Sequence, residues 1–221
     1  MKTIQEIHDQ LVQFEAENKK IFATTSLQSH SIPLLHILSL SKTTISIYFV
    51  NTGFLFPETL QFRDQIAKDL RIQITTLESS IPKIQQRNSH GNFYFTDDPD
   101  RCCFLNKVDP VDRLLPQFDV WISGVRKDQT KNRAAMKHLE PGRENCLRFH
   151  PLLSWSHEEV ERYSAENNLP RHPLESQGYT SIGCQPCTVK TLARQGRWSG
   201  LRKTECGLHL NRKDPQEGGR Q

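Results

Sequence analysis

The chain has no apolar run near the roughly 18 residues that a membrane-spanning helix needs, and it has no internal repeat and no low-complexity tract. These absences exclude a helical membrane protein, a solenoid and a low-complexity scaffold. No charge sign dominates either. The 29 basic and 25 acidic residues leave a formal +4, which suits an anionic ligand but is too small and too evenly mixed to argue for nucleic acid. A stripe of interleaved aromatic and basic residues, which would stack RNA bases, is missing too. The opening Met1-Lys-Thr-Ile-Gln-Glu runs straight into an amphipathic pattern with acidic residues, unlike a secretory signal or an acid-poor transit peptide. The expectation is a cytoplasmic protein with neither a membrane nor a nucleic acid as partner.

A length of 221 residues is enough to bury the core of one domain. Ile4, Ile7, Leu11, Val12 and Phe14 recur at helical spacing, so residues 2–17 read as an amphipathic helix. Short apolar runs follow at 20–26, 44–51, 71–78 and 118–124, separated by helical stretches near 31–40, 57–70 and 106–116. This alternation predicts an α/β fold, a parallel sheet with helices on both faces. Ligands in such sheets bind where strand C-ends meet helix N-termini. Thr24-Thr25-Ser26, Asn51-Thr52-Gly53 and Gly124-Val125-Arg126 therefore fall on one rim. Ser156-His-Glu-Glu159 has the spacing of a capping box and opens a helix to about Asn168. Beyond it regular structure thins, and the ending NRKDPQEGGRQ has a disordered composition.

Six cysteines are many for a chain read as cytosolic, where thiols more often bind metals or react than form disulfides. Cys102-Cys103 and Cys184-Gln-Pro-Cys187 form two pairs, and four thiolates suit zinc or an iron-sulfur cluster. Neighbouring residues on a helix point about 100° apart, so adjacent cysteines reach separate irons of a bulky cluster more readily than they close on one ion. Inert buried thiols are the alternative. Cys146, beside the strand-like Leu147-Arg148-Phe149, reads as a core residue. Cys206 stands apart, with Arg202, Lys203 and His209 close by in sequence. Nearby positive charge stabilises a thiolate, so it is either a reactive thiol or an exposed bystander.

Several segments in order, FVNTGFLFPETLQFRD (49–64), CCFLNKVDPVDRLL (102–115), WISGVRKDQTKNRA (121–134), SQGYTSIGCQPCT (176–188), GRW (196–198) and ECGLH (205–209), resemble the adenylyl-sulfate and phosphoadenylyl-sulfate reductases of assimilatory sulfate reduction. The resemblance covers nearly the whole chain. It implies an adenine-nucleotide alpha-hydrolase-like sheet over residues 1–198 and a mobile tail over 199–221 that carries the nucleophile. It implies a 4Fe-4S cluster on Cys102, Cys103, Cys184 and Cys187. Cys206 would attack the sulfonyl sulfur of adenosine 5′-phosphosulfate, forming a Cys-S-sulfonate and releasing AMP; a thioredoxin or glutaredoxin thiol would then release sulfite.

The implied cations for the anionic end are Lys107, Arg126 and Arg197, with His209 beside a phosphate or the Cys206 thiolate. Lys107, four residues after Cys103, is expected on the same helical face. Thr24, Thr25 and Ser26 resemble the family's phosphate loop, although TTSLQSHSIP lacks the Gly-rich sequence of related folds. Asn51 and Thr52 belong to a rim that approaches adenosine in the family, or form a plain turn with Pro57 opening the next helix. Homo-oligomerisation is a further family-level expectation. Two other readings are weighed: a phosphoadenylyl-sulfate reductase or an enzyme of dual specificity, and, from a different class, a zinc-containing RNA-modifying or RNA-binding protein of related fold.

Overall fold

The alternating apolar runs become strands β1 (Ile21–Thr25), β2 (Ile45–Val50), β3 (Ile74–Leu77) and β4 (Val120–Ser123). Two shorter strands, β5 (Leu139–Glu140) and β6 (Leu147–Phe149), complete a six-stranded sheet in the order β3-β2-β1-β4-β6-β5. The computed structural model describes residues 2–190 and 207–209. All pairings are parallel except β5 with β6. The chain winds outward from β1 through β2 to β3, then returns to the other side of β1 with β4. The reversal lies between β1 and β4, where open parallel sheets leave a crevice for ligands.

Side chains alternate across each strand, so the sheet has two apolar faces. On one, Ala23, Val120, Ile122 and Phe149 pack against Ile7 and Leu11 of helix α1 (Ile4–Ala16), Ile37 of helix α2 (Ile32–Ser39) and Val160 of the His157–Glu166 helix. Phe62 and Ile66 of helix α3 (Pro57–Asp69) extend that layer over Ile47 and Phe49. On the other face, Phe22 and Trp121 meet Val111, Leu114, Leu115 and the buried Cys146. Helices thus cover both faces.

Local chemistry sets the helix ends. Thr3 and Ser156 each make a reciprocal capping box, with Glu6 and Glu159. The structure starts the cysteine-bearing helix earlier than the 106–116 expected. Asp98 caps it by accepting from the Arg101 amide at 2.9 Å, with Pro99 in the first turn. Residues 99–103 are α-helical, Phe104–Val108 form a π turn, and Asp109–Asp112 return to α geometry. Pro110 explains the widening, since it lacks the N–H that would close an α-helical bond to the Asn106 carbonyl, and its ring crowds that carbonyl. Lys107 therefore does not sit at simple α-helical register from Cys103.

Candidate active site

The C-ends of β1, β2 and β4 surround one cleft. Thr24, Thr25 and Ser26 line it from β1, Val50 and Thr52 from β2, and Ser123, Gly124 and Val125 from β4; Lys107, Arg133, Gly183 and Cys184 close its sides. The β1 turn is built without a Gly-rich loop. Buried Leu27 takes φ of +54°, a left-handed conformation usually left to glycine, while its amide donates to Thr25 Oγ1 at 3.1 Å. Ser31 donates to the Gln28 carbonyl at 2.7 Å and leads into α2. Thr24 Oγ1 accepts from Trp121 Nε1 at 2.9 Å across the β1–β4 junction. An anion lying here would face hydroxyls and the N-terminal side of a helix.

The two cysteine pairs, distant in sequence, line one smaller cavity together with Thr52, Phe54, Phe95, Pro99, Asn106 and Lys107. Cys102, Cys103 and Cys184 are buried and Cys187 is half-buried. The Cys-x-x-Cys turn is pinned to the segment after β2: Gln185 N donates to the Phe54 carbonyl at 2.7 Å, and Leu55 bridges to Cys184. Thr188 Oγ1 donates to the Cys184 carbonyl at 2.9 Å. On the helix, Asn106 Nδ2 donates to the Cys102 carbonyl at 2.9 Å and lies 3.7 Å from Cys102 Sγ. Buried Gln86 pairs with the Asn106 amide and fixes its orientation. Stacked Phe93 and Phe95, with Phe54 edge-on to both, sit beside the cavity.

Burial pushes the Cys102 thiol up to about 12, with Cys103, Cys184 and Cys187 adding to the rise and Lys107 opposing it. Four thiolates could not coexist here without a compensating cation. Among the described residues, no three His, Cys, Asp or Glu side chains converge on the position of a single metal ion. The four thiols line one small cavity.

Lys107 is 9% exposed and lines both cavities, as do Thr52 and Cys184. The cysteine pocket and the cleft therefore share a wall. Of the residues expected from sequence, the cleft brings together Thr24, Thr25, Ser26, Thr52 and Lys107. Asn51 and Arg126 are not among its lining residues. Asn51 makes an Asx turn, accepting from the Gly53 amide at 2.9 Å and donating to Glu78 at 2.7 Å. Arg126 is 2% exposed and forks onto Asp128, with Nε and Nη2 at 3.1 and 3.2 Å from its carboxylate oxygens. Arg133, further along the same basic segment and not singled out from sequence, lines the cleft in its place. The cluster of basic residues in RKDQTKNR was the available signal.

Cys206 and Arg197, the expected tail 199–206 and 210–221, and the His209 side chain lie outside the described residues. Gly207–His209 form a 3₁₀ turn against the π turn that carries Lys107; a methyl group on Gly207 would lie 3.1 Å from Val108 Cγ2. Leu208 lines the cleft.

Comparison with known proteins places these features in a family. Residues 20–190 match the phosphoadenosine phosphosulfate reductase domain. An adenosine 5′-phosphosulfate reductase of Salinibacter ruber is 35% identical over 196 residues, covering 86% of this chain and 78% of that protein. A phosphoadenosine 5′-phosphosulfate reductase of Gloeobacter violaceus is also 35% identical, covering 86% and 82%. The crystal structure of a phosphoadenylyl-sulfate reductase from Candida auris in a phosphate complex superposes with a TM-score of 0.68 at 22% identity, covering 82% of this chain and 90% of that one. A fold shared with the latter, a family domain spanning the sheet and both cysteine pairs, and relatives matched over most of their length identify this chain as a member of the phosphoadenosine phosphosulfate reductase family.

Proposed function

We propose that the protein is an adenosine 5′-phosphosulfate reductase, taking this nucleotide to sulfite and AMP. The observation that carries the reading is the docking of Gly207 and Leu208, the residues that follow Cys206, against the turn bearing Lys107 at the edge of the cleft. In this reading the nucleotide lies at the β1–β4 crevice with its anionic end toward Lys107 and Arg133. Arg197 and His209 join them by motif, and Arg126 remains a candidate through its place in the motif.

The Cys206 thiolate attacks the sulfonyl sulfur. A bond from Sγ to that sulfur forms, the sulfur–oxygen bond to the phosphate breaks, and AMP departs with the bonding pair. A dithiol reductant of the thioredoxin or glutaredoxin class then attacks Cys206 Sγ, releasing sulfite. Its second thiol resolves the mixed disulfide, so the dithiol supplies both electrons. Lys107 and Arg133 offset charge that develops on the leaving phosphate. For Cys206 to meet both nucleotide and reductant, Gly207 and Leu208 leave their docked position between the two displacements.

Cys102, Cys103, Cys184 and Cys187 would hold a 4Fe-4S cluster. The fit rests on four thiols lining one cavity and on the rise in the Cys102 pKa that a cationic core would reverse. Such a cluster, its core charge outweighed by four thiolate ligands, would place net negative charge beside Lys107 and tie the Cys-x-x-Cys turn to the helix. A cytoplasmic setting and a homo-oligomeric state belong to the same proposal.

The test is anaerobic purification, measurement of iron, sulfide and zinc, and incubation with adenosine 5′-phosphosulfate or its 3′-phosphorylated form, followed by mass spectrometry of Cys206. Iron near four per chain and an adduct from the first nucleotide support the reading. An adduct from the 3′-phosphorylated form alone would move the assignment to the reaction named for the Gloeobacter relative. Zinc without an adduct from either would overturn it in favour of the RNA-related reading.

A further inference from the structure

Ser123, at the C-end of β4, lines the cleft although it is 3% exposed. Its Oγ lies 2.8 Å from Nδ1 of His150, and His150 Nε2 lies 3.3 Å from Glu140 Oε1. We propose that this chain of three side chains fixes the Ser123 hydroxyl as a hydrogen-bond acceptor toward the cleft, where it reads a donor group on the nucleoside half of the substrate.

The polarity follows from the far end. Glu140 Oε2 accepts from the Lys137 amide at 3.1 Å, and Oε1 faces Arg148 Nη1 at 3.7 Å. With both Glu140 oxygens facing donors, His150 Nε2 carries the hydrogen of that contact. His150 is fully buried. Burial, with Arg148 adding, pushes its pKa down to about 4 against the pull of Glu140 and of the Ser123 backbone, and the ring is neutral at physiological pH. A neutral imidazole with Nε2–H has a bare Nδ1, which accepts the single hydroxyl hydrogen of Ser123. What remains on Oγ is acceptor capacity.

A turned ring would put the carbons Cδ2 and Cε1 where Nδ1 and Nε2 now meet Ser123 and Glu140, so these two contacts hold its orientation. The backbone is held as well: His150 N donates to the His138 carbonyl at 2.8 Å, and the His150 carbonyl is met by His138 Nδ1 at 2.8 Å. Ser154 Oγ holds the other side of His138 at 3.1 Å. An acceptor repels phosphate and sulfonate oxygens, which have no proton to offer. It suits the adenine amino group or a ribose hydroxyl. Ser123 is then a recognition residue, with His150 and Glu140 as positioning residues.

This inference rests on the nucleotide reading above. Its test measures binding of AMP, IMP, 2′-deoxy-AMP and 3′-deoxy-AMP to the full-length protein by calorimetry, for wild type, Ser123→Ala and His150→Phe. Ser123→Ala should weaken AMP binding about 10-fold and leave unchanged the one analogue that lacks the donor. IMP names the base amino group as that donor; a deoxy nucleotide names the ribose hydroxyl. His150→Phe frees the serine hydrogen to donate, so if the base is read, IMP binds it more tightly than it binds wild type. Equal losses for all four ligands in Ser123→Ala, or no loss, would overturn the inference while leaving the reductase reading intact. Should His150→Phe not fold, the Ser123→Ala series decides alone. Failure of wild type to bind any of the four would overturn both.

Discussion

Thr52 Oγ1 lies 3.2 Å from Cys184 Sγ, so one hydroxyl at the end of β2 touches the cysteine cavity while its residue also lines the cleft at the strand C-ends. The same oxygen accepts from the Phe54 amide at 3.3 Å, which leaves its hydrogen for the sulfur. A hydrogen bond to a metal-bound thiolate steadies the ligand and its charge. Thr52→Val should therefore lose iron to a chelator about 10-fold faster than wild type, and Thr52→Ser should match wild type. Absorbance decay under anaerobic chelator challenge checks this.

The four cavity cysteines and Cys146 make a controlled comparison. Cys146 is 1% exposed within the apolar layer around Phe22 and Trp121, away from the other thiols. Cys102→Ser and Cys184→Ser are expected to purify with iron near zero. Cys146→Ser should keep the wild-type iron content and lose only about 1–3 kcal/mol of stability from a buried hydroxyl. Iron analysis and urea denaturation of the three variants check both outcomes.

Lys107, at the wall between cleft and cysteine cavity, is the described cation best placed to serve both. Lys107→Ala should slow Cys206 adduct formation by about 100-fold or more, the usual cost of removing a group that stabilises charge developing in a displacement. Lys107→Arg keeps the charge and should recover part of the rate. Quenched single-turnover assays on preparations matched for iron measure it.

His150 makes stability depend on pH. Its folded pKa is lowered to about 4 from 6.5. Between those values the unfolded chain binds a proton that the folded protein refuses, so the His150 contribution to stability falls as pH falls from about 6.5 to about 4 and is fully present above that window. The slope is at most about 1.4 kcal/mol per pH unit. His150→Gln should be less stable at pH 7, through loss of the Ser123 and Glu140 contacts, yet show a shallower loss across the window. Urea midpoints at pH 7 and pH 5 for both proteins test the difference.

Local patterns made much of the molecule legible. Apolar runs at 20–26, 44–51 and 118–124 enclose β1, β2 and β4, and the capping residues of α1 and of the His157–Glu166 helix stand in the sequence. The two-residue β5 was not legible, because alternation needs a longer run to register. Nor was the π turn, whose cause, Pro110 within a helix, reads equally well as a helix boundary.

The sequence by itself determined the class of fold, the family and the inventory of reactive side chains, because these depend on periodicity and on residue types at fixed local spacing. Only the tertiary structure decided which of them meet. It set Cys184 against Thr52, put Arg133 rather than Arg126 at the cleft, turned Asn51 into a turn former, and ran Glu140 through His150 to Ser123. Those relations depend on strand order and on which groups burial leaves facing one another, and no local spacing encodes either.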